Sequence, residues 1–206
     1  MKFPTKKHAD AREYFSGYFE NLIEAATSMD TASIAQAAEL LASLFAKGHT
    51  LYVCGNGGSA AIANHLLCDF SKGMQTDTVL KPRVVSLSAH VELITAIGND
   101  IDFAEIFAYQ VRTAARPGDA LMTISSSGNS ENIVRAVEWA RGANIATIAM
   151  TGFEGGRSAR LADINIYVPA QNYGVVEDIH QSIMHILAQY VRASLMESDL
   201  IAQRSF

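Results

Sequence analysis

From Thr50 onward, short apolar runs alternate with helical patterns, and few folds accommodate that alternation. The runs lie at 51–54, 84–87, 120–124, 145–150 and 164–168; the helical patterns lie at 59–72, 90–96, 103–115, 130–141 and 175–195. Strands separated by helices do not meet as hairpins. Each return needs a crossover, which sets neighbouring strands parallel, and the near-continuous apolar character of each run suits burial on both faces. The expected fold is therefore α/β, a doubly wound parallel sheet with N-terminal helices before it and a long C-terminal helix after it. Pro169 ends the last strand. In such sheets ligands bind at the carboxyl ends of the strands, near the point where strand order reverses.

Residues 9–47 precede any strand and repeat apolar positions at helical spacing, with Tyr14, Tyr18, Leu22 and Ala25 on one stripe. Asp30 before Thr31 reads as a helix N-cap, so two helices hinged near Met29 are expected. A small sheet need not cover the first helix's stripe, which makes that helix a candidate for contact with another subunit. The expected organisation is a single domain, with a helical segment at 1–48 packing on the domain and between subunits, and the sheet domain at 49–206.

At 206 residues the chain suits one such domain, and its apolar stretches stop short of a membrane span. The basic start has no apolar core behind it, so no secretory signal is predicted. Two cysteines, Cys54 and Cys68, on apolar elements fit free thiols in the cytoplasm. The net charge is −5, and the Lys and Arg residues are scattered, leaving no basic patch for nucleic acid.

Two loops carry the strongest chemical signal. Cys54-Gly55-Asn56-Gly57-Gly58-Ser59 and Ser125-Ser126-Ser127-Gly128-Asn129-Ser130 each follow an apolar run and precede a helical pattern. Such a junction aims free N–H groups and small hydroxyls at one spot before a helix N-terminus, where the dipole favours an anion. Neither loop has the Lys-Ser/Thr ending of a nucleoside-triphosphate loop, and the first lacks the third spaced glycine of a dinucleotide fingerprint. The expected guest is a phosphorylated sugar rather than a nucleotide.

The helix after the first loop places His65 and Asp69 four residues apart on one face. The C-terminal helix carries Glu177, Asp178, His180, Gln181 and His185. Near a phosphate cradle these groups suit either proton transfer beside a carbonyl or metal ligation. Glu177 and His185 are eight residues apart, about 12 Å along a regular helix, whereas Gln181 is one turn from each.

The two loops, with Ala96-Ile97-Gly98-Asn99-Asp100, Thr151-Gly152-Phe153-Glu154-Gly155-Gly156 and the stretch from Ile179 to Leu187, resemble the phosphoheptose isomerases of the sugar isomerase (SIS) superfamily. The likeness runs in order over nearly the whole chain. It implies a flavodoxin-like SIS fold and interconversion of sedoheptulose 7-phosphate with a D-glycero-D-manno-heptose 7-phosphate, on the way to heptose glycoconjugates. It further implies that Asn56, Gly57, Gly58, Asn99 and Asp100 hold the sugar, and that Ser59, Ser125, Ser126, Ser127 and Ser130 hold the phosphate.

By the same resemblance the acid–base pair falls on Asp69 and His185. A zinc ion is implied on His65, Asp69, Glu177 and His185, and a homotetramer with active sites between subunits. Two positions depart from the family pattern: Asp69 stands for a glutamate and Glu177 for a glutamine. Gly174-Val175 also replaces an Asp-Arg pair. The implied mechanism is aldose–ketose isomerisation through an enediol. The alternative is a non-catalytic phosphosugar-binding or regulatory protein on the same scaffold that binds a replication-initiation protein.

Overall fold

The computed structural model describes residues 1–206. Helices α1 (Ala11–Thr27) and α2 (Thr31–Ala46) precede β1 (Thr50–Gly55) and α3 (Gly58–Cys68), which runs into a single π turn (Asp69–Gly73). Then follow β2 (Arg83–Ser86), α4 (Val91–Asp100), a 3-10 turn (Phe103–Glu105) and α5 (Ala108–Ala114). The remainder is β3 (Ala120–Ser125), α6 (Glu131–Gly142), β4 (Ala146–Thr151), α7 (Gly156–Leu161), β5 (Ile164–Tyr167), α8 (Tyr173–Leu195) and α9 (Ser198–Ile201).

All five strands are parallel, in the order β2-β1-β3-β4-β5. The chain leaves β1 in one direction to make β2, then returns across β1 to make β3. Strand order therefore reverses between β1 and β3, whose carboxyl ends lie side by side, with Gly55 opposite Ile124. A crevice outside those ends is the general ligand site of this architecture.

Alternation along each strand divides the core. Leu51, Val53, Met122, Ile124, Ile148 and Met150 face α2, α3 and α8, whereas Tyr52, Cys54 and Leu121 face the side holding Phe107, Val111, Ile133 and Ala140. Every residue of β1 and β3 is buried, the expected result of covering a parallel sheet on both sides.

Asp30 caps α2 as predicted, accepting from the Ala32 N–H at 2.9 Å, and Asp10 does the same for α1. Helix α8 begins two residues earlier than the apolar pattern suggests, because Asn172 is extended and its side chain accepts from the Val175 N–H at 3.0 Å. The predicted helix at 59–72 departs from α geometry at Asp69, where the Met74 N–H reaches the Asp69 carbonyl across one extra residue. No helix is long and apolar enough to cross a membrane.

Candidate active site

The two glycine-serine loops converge at the switch point. Asn56 and Asn132, the latter at the start of α6, exchange side-chain hydrogen bonds at 2.9 and 3.0 Å. That reciprocal amide pair fastens one loop to the other. Asn56, Gly57, Ser130 and Asn132 then line one open cleft of about 540 Å³, closed on its far side by Asp102, Phe103 and Ala104.

Side chains cap the N-termini of α1, α2 and α8, whereas α3 and α6, like the shorter α4, α5, α7 and α9, have no side-chain cap. Gly57 precedes α3 with no side chain to offer, and the Ser130 hydroxyl makes no cap bond to α6. Each of these two helices thus presents first-turn N–H groups that its own sequence leaves for another acceptor. The Ser126 hydroxyl is buried and has no protein partner. A buried hydroxyl without a partner costs about 1–3 kcal/mol, so it is tolerated most readily where a ligand satisfies it.

The serine loop is held from behind. Gly152 N–H donates to Ser126 O and Ser158 N–H to Gly128 O, both at 2.9 Å, and Arg157 N–H donates to the Asn129 side chain at 3.0 Å. Gly128 has φ +63°, and a Cβ there would overlap the Gly155 carbonyl oxygen. Only glycine permits both that backbone conformation and that approach.

A second group lies further along α3, where it packs on α8. Asp69 accepts from or faces two imidazoles, with its Oδ2 2.7 Å from His185 Nδ1 and its Oδ1 3.4 Å from His65 Nε2. The rings of His65 and His185 meet edge to face, 5.0 Å between centres. Gln181 closes the circuit, its Nε2 lying 3.0 Å from both His65 Nδ1 and His185 Nε2. One ligand atom from each of His65, Asp69 and His185 falls within 4.8 Å of the others. Two imidazoles and a carboxylate form a donor set suited to a divalent transition metal, with a coordination position left over for a substrate oxygen. The same Asp–His hydrogen bond is a ready acid–base pair.

The sequence pattern of the SIS domain family matches residues 13–152. The phosphoheptose isomerase of Nitratidesulfovibrio vulgaris is 38% identical over 190 residues, covering 92% of this chain and 85% of the relative. The solved phosphoheptose isomerase GmhA from Neisseria gonorrhoeae superposes with a TM-score of 0.81 at 33% identity, over 89% of this chain and 100% of that one. A phosphoheptose isomerase from Francisella tularensis gives 0.78 at 34% identity, over 87% and 95%. The chain belongs to the phosphoheptose isomerase family of SIS-domain proteins. It is an isomerase, and the binding-only alternative has no support among these relatives.

Within this isomerase the predicted residues other than Glu177 fall into three places. Asn56, Gly57, Gly58, Ser59, Ser125, Ser126, Ser127 and Ser130 form or adjoin the two loops at the switch point. His65, Asp69 and His185 form the second group. Asn99 and Asp100 are exposed at the end of α4, bonded to each other at 2.7 Å, and do not line the cleft.

Glu177, the fourth predicted ligand, lies outside the cluster in which His65, Asp69 and His185 place one ligand atom each within 4.8 Å of one another. Its carboxylate lies over Gly58 at the start of α3, in space that a Cβ at Gly58 would need. It lies eight residues before His185 on α8. Burial pushes the Glu177 carboxyl above its usual pKa, and the adjacent Asp178 charge adds to the effect. Asp178 itself accepts from the Tyr18 hydroxyl at 2.6 Å, fastening α1 to α8.

His180, the other candidate on α8, is buried and serves the fold. Its Nε2 lies 3.2 Å from the Thr151 carbonyl, at the carboxyl end of β4, and burial lowers its pKa to about 4. Sequence reasoning missed Asn132. The available signal was an asparagine among the buried positions of α6, where a polar side chain needs a specific partner.

Proposed function

We propose that this isomerase interconverts sedoheptulose 7-phosphate and D-glycero-D-manno-heptose 7-phosphate by proton transfer through an enediol. The hydrogen bond between Asp69 and His185, in a member of the phosphoheptose isomerase family, carries the reading. The serine loop and the start of α3 bind the phosphate. Binding energy from that remote group then holds C1 and C2 between base and acid, which is where it lowers the barrier. Asp69 removes the carbon-bound proton, and His185 carries protons between the two sugar oxygens.

His65, Asp69 and His185 are the residues that would hold zinc. Bound there, the ion supplies Lewis-acid polarisation of the substrate carbonyl.

A homotetramer with active sites between subunits fits this division of labour. Asp69 lies ten residues beyond Ser59, about 15 Å along a helix, which is longer than the carbon chain of a seven-carbon sugar. The phosphate loops of one subunit would then serve the acid–base pair of another. Phe15 and Ile23 on α1, and Ile186 and Tyr190 on α8, are 63%, 59%, 51% and 61% exposed, an apolar surface suited to that assembly. In this arrangement the 1–48 segment contributes α1 to the subunit contact, and the enzyme works in the cytoplasm.

The test is turnover of sedoheptulose 7-phosphate, before and after chelation and zinc addition, alongside Asp69→Asn and His185→Ala. Each variant is expected to lower kcat by about 10²–10⁴-fold. Full turnover by both variants would refute the assigned roles. Sedimentation of the purified chain as a monomer at working concentration would refute the shared site.

A further inference from the structure

Four side chains form a closed ring, and one of them has no role in the mechanism above. Gln181 sits between the nitrogens of His65 and His185 that point away from Asp69. Each imidazole is therefore held at both nitrogens, by the carboxylate on one side and by the same amide on the other.

The hydrogens in such a ring are not independent. With the Gln181 NH₂ directed at the histidines, its two hydrogens satisfy His65 Nδ1 and His185 Nε2, one each, and both nitrogens must be acceptors. The ring protons then sit on His65 Nε2 and His185 Nδ1, and both face Asp69, whose two oxygens are placed to receive them. Every donor has an acceptor, and the three groups are neutral, neutral and anionic.

An amide is nearly symmetric in shape, so the same pocket accepts Gln181 turned over. Its oxygen then receives protons from His65 Nδ1 and His185 Nε2. The lone pairs of His65 Nε2 and His185 Nδ1 now face the Asp69 carboxylate. Lone pairs facing a carboxylate repel it, but all of them attract a cation. Metal-bound histidines characteristically donate their other N–H to an acceptor that fixes the tautomer, and a single amide oxygen would do this for both rings.

We propose that Gln181 is the positioning residue of this site, setting the tautomers of His65 and His185 together, and that reversal of its amide converts a hydrogen-bonded ring into a divalent-metal site. The inference rests on the reading that His65, Asp69 and His185 hold a metal. It adds that the fourth residue of the group acts from behind the histidines.

The experiment uses the full chain, with zinc as the probe, and reads affinity by chelator competition together with histidine side-chain nitrogen NMR. Chelated wild-type protein is expected to show His185 protonated at Nδ1, the tautomer that a free histidine side chain disfavours, and His65 protonated at Nε2. Zinc is expected to move both protons to the opposite nitrogens. Gln181→Leu should weaken zinc binding by about 10–100-fold and release the tautomers. Gln181→Glu, which offers only acceptor oxygens, should bind zinc at least as tightly as wild type, and it keeps the test decisive if the leucine variant folds poorly.

Unchanged affinity in Gln181→Leu, or His185 protonated at Nε2 in the chelated wild type, would overturn the role of Gln181 alone. Absence of zinc binding by the wild-type chain would overturn the metal reading and the amide reversal with it.

Discussion

Acidification tests the packing of α8 through one buried side chain. His180 has no exposed surface, its Nε2 reaches the Thr151 carbonyl, and its Nδ1 has no partner. Burial lowers its pKa from 6.5 to about 4, because a charged imidazolium loses its hydration there. A folded-state pKa below the unfolded one means that the unfolded chain takes up the proton first. The stability associated with neutral His180 is therefore complete above about pH 6.5 and is lost as the pH falls toward 4. One proton is worth about 1.4 kcal/mol per pH unit in that window, so the loss is about 3 kcal/mol. His180→Leu removes the titrating group and leaves the Thr151 carbonyl its hydrogen bond from Val168 N–H. Urea unfolding at pH 7, 5.5 and 4.5, followed by the single tryptophan, Trp139, at one fixed protein concentration, gives the comparison. Carboxylates held low by partners, such as Asp77 beside Arg204 and Arg192, also lose stability in acid, but equally in both proteins. The wild-type chain should lose about 3 kcal/mol relative to the variant between pH 6.5 and 4. Parallel pH profiles for the two proteins would refute the reasoning.

Three further outcomes follow from the loops and the contact between α3 and α8. Gly128→Ala places a Cβ on the Gly155 carbonyl at a positive φ, and thermal melting should report a loss of about 1–3 kcal/mol together with weaker phosphosugar binding; an unchanged melt and affinity would contradict the bracing described above. Asn132→Ala leaves the Asn56 side chain without its partner, so KM should rise as the first loop loosens, at a stability cost of about 1–2 kcal/mol, and steady-state kinetics with a urea titration checks both. Glu177→Gln should leave zinc affinity within about 3-fold of wild type, while His65→Ala should reduce it at least about 100-fold; equal losses in the two variants would place Glu177 among the ligands after all.

Much of this was legible in the sequence, because the fold rests on local patterns. Alternating apolar runs specify a parallel sheet, and Asp30 and the two glycine-serine loops mark where helices start. The site was legible only where one helix carries it: His65 and Asp69, four residues apart, share a face by geometry alone. Contacts between elements were not legible. Nothing local tells Asn132 that it will meet Asn56 across 76 positions of chain, or tells Gln181 that it will lie between two histidines from different helices. The separation of Glu177 from the histidine cluster was foreshadowed by helix pitch, since eight residues span about 12 Å and four span half of that. The π turn at Asp69 had no signature, because Asp-Phe-Ser-Lys-Gly continues the helical pattern as well as any α-helical sequence would.

The bracing of the serine loop also fixes the sign of what that loop presents to a ligand. The carbonyls of Ser125, Ser126 and Gly128 already accept backbone N–H groups from Gly128, Gly152 and Ser158. Each already has a lone pair engaged by a protein hydrogen, while hydroxyls and helix-start N–H groups remain. A guest there gains more from the lone pairs it carries than from its own hydrogens. A phosphate monoester titrates near pH 6, so affinity should climb as the guest passes from monoanion to dianion, and a neutral sugar of the same shape should gain little at this loop.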